Sequence, residues 1–322
     1  EIIMSSIVIT SAKRTPIGKF LGGLSDLSAT ELGSVVLKNI IKESDLNPDE
    51  IDEVILGQVL SGGCGQNPAR QTSFMSEIPV DKSALTINQV CGSGLRAISI
   101  GAQSILTSQS EVVLAGGQES MSNAHHTLNI RNGIKMGDGE LKDSMIIDGL
   151  WCAMNNYHMG TTAENVAEKY NINKEDQDRF ATESQNKAEK AQLNNKFKEE
   201  IIPVKIKKRK EEIVINSDEF PRHGTTLEKL SSLKAVFKKD GTVTAGNASG
   251  LNDGAAAVCL MKEEKAKNLG INPIARIVSW ASVGVDPSIM GIGPVHAVNK
   301  ALKIAQWKIE DLDLIEANEA FA

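Results

Sequence analysis

The chain has 322 residues, 41% of them hydrophobic and 24% charged, with a formal net charge of −6. That length exceeds one typical domain and suggests two or three, with enough apolar material for a real core. The acidic balance argues against nucleic-acid binding, no run reaches the roughly 18 apolar residues of a membrane span, and EIIMSSIVIT lacks the basic and long apolar regions of a signal peptide.

Met4 is a candidate start, with Glu1–Ile3 ahead of it. SIVITSAKRTPIG reads as a buried strand, Ile7–Ala12, running into a basic loop. SATELGSVVLKNIIKES follows as a helix: Leu32, Val35, Val36, Ile40 and Ile41 recur at helical spacing, and Ser28 or Thr30 can cap it with Glu31 nearby. LNPDEIDEVILGQVL turns at Pro48 into a strand near Val54–Leu60. ALTINQV, Ala84–Val90, is a third strand. GSGLRAISIGAQSILTSQS is a helix with Leu95, Ile98, Ala102 and Ile105 on one stripe. EVVLAGGQESMS is a strand that stops at a Gly-Gly turn. This alternation predicts an α/β layer fold with much parallel sheet.

From Ser122 to Gly246 strands are scarce. KEDQDRFATESQNKAEKAQLNNKF predicts a polar helix and KIKKRKEEI is a charge run. The segment reads as an exposed insertion. NDGAAAVCLMKEE then resumes as a buried strand, Ala255–Met261. Near the end the opening recurs: Glu31–Gly57 lies without gaps on the segment ending IAQWKIEDLDLIEAN, with Leu46 on Trp307, Ile51 on Leu312, Asp52 on Asp313 and Val54 on Ile315. The predicted organisation is therefore a first half of residues 1–121 plus 247–272, an insertion over 122–246, and the start of a second half at 273–322.

Four cysteines stand at Cys64, Cys91, Cys152 and Cys259. None forms a CxxC pair and no His/Cys cluster has metal-ligand spacing, so neither a disulfide framework nor a metal site is expected, and a reducing, cytoplasmic setting fits. Cys91, in TINQVCGSGLRAI, sits between a strand and a helix. Free backbone N–H groups and the helix dipole there favour an anion, and a thiolate is the anion a cysteine supplies. Gly92 and Gly94 would clear its approaches and offer N–H groups to an oxyanion. A small core cysteine beside a tight turn is the competing reading. The turn lacks the full GxGxxG of a dinucleotide loop.

Asn318 and Glu319 end the last predicted strand, a place that carries ligands in α/β folds, although Asn-Glu is also a common cap. His158 precedes a helix capped by Thr161 or Thr162 with Glu164 in its first turn. It is either structural or functional. Ser249 lies in a hydroxyl-bearing loop that can serve as a turn or approach a ligand. His125 and His126 are assigned no chemistry. KIKKRK is read as a solvated face, with phosphate attraction as the alternative.

Together RTPIGKFLGGL, NPARQ, NQVCGSGLRAI, AGGQESMS, YHMGTTAENVAEKY, QDRFATESQNKA, RHGTTLEKL, GTVTAGNASGLNDGAAA and EANEAFA closely resemble the thiolase family, in its biosynthetic, acetyl-CoA acetyltransferase type, from Ile7 to Ala322. The resemblance implies an α/β fold of two similar halves stacked as α-β-α-β-α layers with an inserted loop domain. It implies a homotetramer in which residues around His126–Gly137 join dimers. It also implies a reversible Claisen condensation of two acetyl-CoA molecules to acetoacetyl-CoA and CoA. Cys91 would carry the acetyl group as a thioester. Asn318 would hold a water that stabilises the enolate oxygen. The CoA pocket would be lined by Leu150, His158, Met159, Arg222, Phe237, Ala245, Ser249, Ala320 and Phe321. His158 and Ser249 would face the pantetheine, and Arg222 the nucleotide end. No cofactor is implied, because the CoA thioesters are substrates.

The family's Gly-His-Pro and later Cys-x-Gly-Gly motifs, which supply the activating histidine and the acid/base cysteine, do not occur in these residues. The second half is therefore expected to be incomplete, and the 322 residues by themselves are expected to turn over little. The alternatives are a 3-ketoacyl-CoA thiolase of broader chain length, and a non-catalytic CoA-binding or assembly subunit if the chain ends naturally at Ala322.

Overall fold

The computed structural model describes residues 6–209 and 211–322, so the candidate start at Met4 and the last lysine of KIKKRK lie outside the described residues. Two compact units are present. Among the described residues, the first comprises 6–149, 197–209, 211–220 and 251–277, and the second 150–196, 221–250 and 278–322. Among the described residues no helix is long and apolar enough to cross a membrane.

The first unit is built on one seven-stranded sheet. Its main strands are β1 (Ile7–Arg14), β2 (Glu53–Gly57), β3 (Ser83–Ile87), β4 (Val112–Ser120), β5 (Asn252–Lys262) and the short β6 (Ala275–Arg276). They lie in the order β6-β1-β5-β4-β2-β3, with Gly18–Lys19 paired to β5. β4, β2 and β3 are parallel, whereas β5 is antiparallel to both β1 and β4. The sheet is thus mixed, less parallel than the alternation predicts. β5 returns through a long excursion and inserts between β1 and β4.

The main helices on this sheet are α1 (Ala29–Glu43), α2 (Pro68–Met75) and α3 (Ser93–Leu106). Ser28 caps α1 in a capping box with Glu31. Its inner face buries Leu32, Val36, Leu37 and Ile40 against Val54, Leu56, Leu114 and Met261. Each such side chain contributes about 1.5–3 kcal/mol by leaving water. On α3 the buried face is Ala97, Ala102 and Ile105. Leu95, expected on that stripe, is 78% exposed.

Strand ends differ from the sequence reading. β4 does not stop at Gly116-Gly117 but runs through both to Ser120. The glycine at 116 serves close packing: a Cβ there would lie 2.0 Å from the Ala256 carbonyl oxygen of β5. β2 ends at Gly57, short of Leu60, because the Val59 and Leu60 N–H groups turn to the Glu119 carboxylate instead of a neighbouring strand.

The second unit carries α4 (Met159–Tyr170), α5 (Lys174–Leu193), a short helix Leu227–Ser231 and α6 (Gly293–Ala305). The repeat is visible here. The 3-10 turns Pro48–Glu50 and Ile309–Asp311 occupy matching places after α1 and α6. The strand expected after the second turn does not form a ladder among the described residues. Leu314 and Ile315 are 89% and 67% exposed, whereas their counterparts in β2 are fully paired between β3 and β4. An extended segment becomes a strand only when neighbours take its N–H and C=O groups.

Candidate active site

The turn bearing Cys91 lies between β3 and α3. β3 ends at Ile87, earlier than predicted, because the next four residues form a tight hydrogen-bonded turn. The Val90 N–H donates to Asn88 Oδ1 at 2.9 Å. The Gln89 N–H donates to Ser93 Oγ at 2.7 Å, and that hydroxyl donates to the Val90 carbonyl at 2.6 Å. Val90 has φ 48°, in the left-handed region that a β-branched residue rarely occupies. Cys91 itself is exposed. Gly92 is the N-cap of α3, and no side chain caps that end, so its positive pole is not met by a capping group. The Gly92 N–H donates to the Gln89 carbonyl at 3.1 Å and is not free for an oxyanion, contrary to the sequence expectation.

A buried polar row runs behind this turn. Thr72 Oγ1 donates to Gln118 Oε1 at 2.7 Å, and Gln118 Nε2 donates to Gln58 Oε1 at 3.0 Å. Gln58 Nε2 then reaches the Leu60 carbonyl at 3.2 Å and Cys64 Sγ at 3.6 Å. Glu119 accepts from the Val59 N–H at 2.8 Å and the Leu60 N–H at 3.3 Å. Burial pushes the Glu119 carboxyl up to about 7 despite these two donors, with repulsion from Asp253 adding to the rise. Burial and the Glu119 charge raise the Cys64 thiol, which disfavours its thiolate.

The second unit assembles an aromatic row. His158 ends a small hairpin, pairing with Trp151, and is the N-cap of α4. The expected cap at Thr161 or Thr162 is not used. His158 Nδ1 accepts the Gly160 N–H at 3.0 Å, which fixes the neutral ring with its proton on Nε2. Burial lowers the His158 pKa in the same direction. The ring stacks on Phe237 at 4.5 Å between centroids, and Phe237 meets Phe321 edge-on at 6.4 Å. Gly160 permits this: a Cβ there would lie 2.2 Å from the Phe237 ring.

The loop carrying Ala245 and Ser249 is tied down on both sides. Glu164, only 4% exposed, accepts from the N–H groups of Thr242 and Val243, each at 2.8 Å. Asn247 accepts from the Thr244 N–H at 2.7 Å and donates to Asp178 at 2.9 Å and to the Thr242 carbonyl at 3.0 Å. The Ser249 N–H donates to the Ala320 carbonyl at 2.9 Å, and the Ala322 N–H to the Asn247 carbonyl at 2.8 Å. Ser249, Ala320 and Phe321 are thereby brought beside the aromatic row.

Residues 7–264 match the family profile described as "Thiolase, N-terminal domain", and residues 271–322 match "Thiolase, C-terminal domain". The chain belongs to the thiolase family. Among relatives of this thiolase, the acetyl-CoA acetyltransferase of Allochromatium vinosum is 57% identical over 98% of the chain and 81% of its own length. That of Paracoccus denitrificans is 56% identical, over 99% of the chain and 82% of its own length. The crystal structure of the Bacillus anthracis acetyl-CoA acetyltransferase superposes with a TM-score of 0.96 at 45% identity, covering 99% of this chain and 81% of that one. The structure from Syntrophomonas wolfei gives 0.95 at 42%, covering 99% and 80%.

Within this thiolase, Cys91 belongs to the first unit, and the other named residues to the second. His158, Met159, Phe237, Ser249, Ala320 and Phe321 are gathered around the aromatic row and its loop. Leu150 immediately precedes the hairpin that holds His158, and Ala245 is exposed in the tied loop. The Arg222 N–H donates to Gln185 of α5 at 2.7 Å, toward a different helix. Asn318 is exposed in the extended stretch after the last 3-10 turn, while the adjacent Glu319 accepts from the Ser184 hydroxyl at 2.5 Å.

Residue-by-residue reading missed the groups that hold these parts: Asn88, Ser93, Glu119, Glu164 and Asn247. A faint signal existed for the first two, since polar side chains bracket Cys91 three residues before and two after it. For Glu119 and Glu164, only their burial reveals the role.

Proposed function

We infer that this thiolase is an acetyl-CoA acetyltransferase, catalysing the reversible condensation of two acetyl-CoA molecules to acetoacetyl-CoA and CoA. The observation that carries the reading is the 57% identity to a relative of that name across 98% of the chain. The exposed thiol at the uncapped start of α3 supports it.

In the proposed reaction, Cys91 Sγ attacks the thioester carbonyl of acetyl-CoA, and the CoA thiolate leaves. The acetyl group is now a thioester on Cys91. A second acetyl-CoA loses a methyl proton, and its carbon attacks the acetyl carbonyl. A carbon–carbon bond forms, the Cys91–acetyl bond breaks, and acetoacetyl-CoA departs. The methyl proton is balanced by protonation of the released CoA sulfur. The sum needs no cofactor. Asn318 is proposed to hold a water for the enolate oxygen. His158, with its Nε2–H as a donor, and Ser249 are proposed to face the pantetheine, and Phe237 and Phe321 to wall it. Leu150, Met159, Ala245 and Ala320 are proposed to complete the pocket, with Arg222 at the nucleotide end.

A homotetramer is proposed on the same reading. Leu128, Ile130, Ile134 and Met136 are exposed in and beside the segment expected to join dimers, Met136 at 95%. Burying such side chains against a second copy removes an otherwise unfavourable apolar surface. Four unpaired cysteines support a reducing, cytoplasmic location.

The test is Cys91→Ser in the intact protein, followed by consumption of acetoacetyl-CoA with CoA. Turnover is expected to fall by about 1,000-fold or more, with CoA binding retained and the acetyl adduct lost from the Cys91 peptide in mass spectra. Unchanged turnover would overturn the mechanism.

A further inference from the structure

The conformation of the Cys91 turn is costly, and something must hold it. Val90 has φ 48°, where its branched Cβ crowds the backbone. Left to itself, such a residue relaxes to the extended region. That rotation would swing the peptide unit joining Val90 to Cys91 and carry the thiol with it.

Two side chains oppose the relaxation from opposite ends. Asn88 Oδ1 takes the Val90 N–H at 2.9 Å. The Ser93 hydroxyl takes the Gln89 N–H at 2.7 Å and gives its own proton to the Val90 carbonyl at 2.6 Å. Both peptide units flanking Val90 are therefore bonded in their left-handed arrangement. The two anchors are themselves fixed. Ser93 is only 4% exposed and opens α3, whose Ala97, Ala102 and Ile105 are fully buried. The Asn88 amide reaches the Val59 carbonyl at 3.5 Å, and the N–H of Val59 is held by Glu119 on β4.

We propose that Asn88 and Ser93 are positioning residues, which hold the Val90 backbone in the left-handed region and thereby present the Cys91 thiol to the thioester. The proposal rests on the reading of Cys91 as the nucleophile. Neither residue need touch substrate. Their effect runs through the backbone, so it belongs to the chemical step and not to CoA affinity.

The experiment compares Ser93→Ala, Asn88→Ala, Val90→Gly and each alanine variant combined with Val90→Gly in the intact protein. Three readouts are taken: kcat and KM for acetoacetyl-CoA thiolysis, the rate of Cys91 alkylation by iodoacetamide, and the melting temperature. Each alanine variant is expected to lose on the order of 100-fold in kcat, as a misplaced reacting group does, with KM for CoA little changed. The alkylation rate of Cys91 should depart from native in both alanine variants and return toward it in the double variants. Glycine adopts φ near 48° without steric cost, so Val90→Gly should restore most of the lost kcat in both double variants. Asn88 is exposed, so its variant remains available if Ser93→Ala does not fold. Alanine variants with native kcat and native alkylation would overturn the proposal, as would double variants no faster than the singles. Cys91→Ser in the same assay separates the two readings. If it retains turnover, the nucleophile assignment fails, whereas the alkylation rates still report whether Asn88 and Ser93 set the turn.

Discussion

Replacing Glu119 by glutamine should change how the stability of this thiolase depends on pH. The carboxyl ionises at about 7 in the fold, against 4.5 for an ordinary glutamate. Between those values the folded chain binds a proton that the unfolded chain has released. Unfolding then gives off a proton, so stability falls as pH rises from about 4.5, and the loss is complete above about 7. The gap multiplied by 1.36 kcal/mol per pH unit gives on the order of 3 kcal/mol. Glutamine is neutral throughout and keeps an oxygen for the Val59 N–H, which lies 2.8 Å from the carboxylate. The bonds the carboxylate accepts from Val59 and Leu60 already act within that gap, so they offset nothing further. Glu119→Gln is therefore expected to be more stable than the native protein above pH 7 by up to about 3 kcal/mol. The advantage should vanish or reverse below pH 5. The assay is urea or thermal unfolding of both proteins from pH 5.0 to 8.5 at fixed ionic strength. Parallel curves, with a difference that does not vary with pH, would refute the claim that Glu119 titrates in this range.

Two further substitutions test the close contacts. Gly160→Ala places a Cβ 2.2 Å from the Phe237 ring and should push it off His158. Losing one stacked pair costs about 0.5–1.5 kcal/mol of stability, of which better helix propensity returns up to about 1 kcal/mol, and the displaced Phe237 should raise KM for CoA. An unchanged KM would show that the aromatic row does not serve the pocket. Gly116→Ala forces a Cβ to within 2.0 Å of the Ala256 carbonyl oxygen, so β4 and β5 must separate. A cost of at least about 3 kcal/mol is expected, seen as a lower melting temperature, and a native melting temperature would contradict the contact.

Much of this protein is legible in its sequence because the signals are local. Ser28, Glu31 and the stripe of Leu32, Val36 and Ile40 specify a capped amphipathic helix by spacing alone, and the structure forms it. The motifs around Cys91, His158 and Asn318 carry the family by their wording. The gapless match of Glu31–Gly57 to the later segment anticipates the paired 3-10 turns after α1 and α6. What the sequence leaves open is decided by groups far apart along the chain. Gly116-Gly117 looks like a turn until β5, some 140 residues later, lies against it and requires a strand without a Cβ. Leu95 looks like core because helical spacing cannot say which face meets the sheet. Glu119 and Glu164 look like surface charges, yet Glu119 is half-buried and Glu164 buried, and each spends its oxygens on the N–H groups of a loop elsewhere in the chain. Local propensity sets which elements form. Only the tertiary packing decides which polar groups lose water, and that loss turns an ordinary glutamate into a clamp that titrates near neutrality.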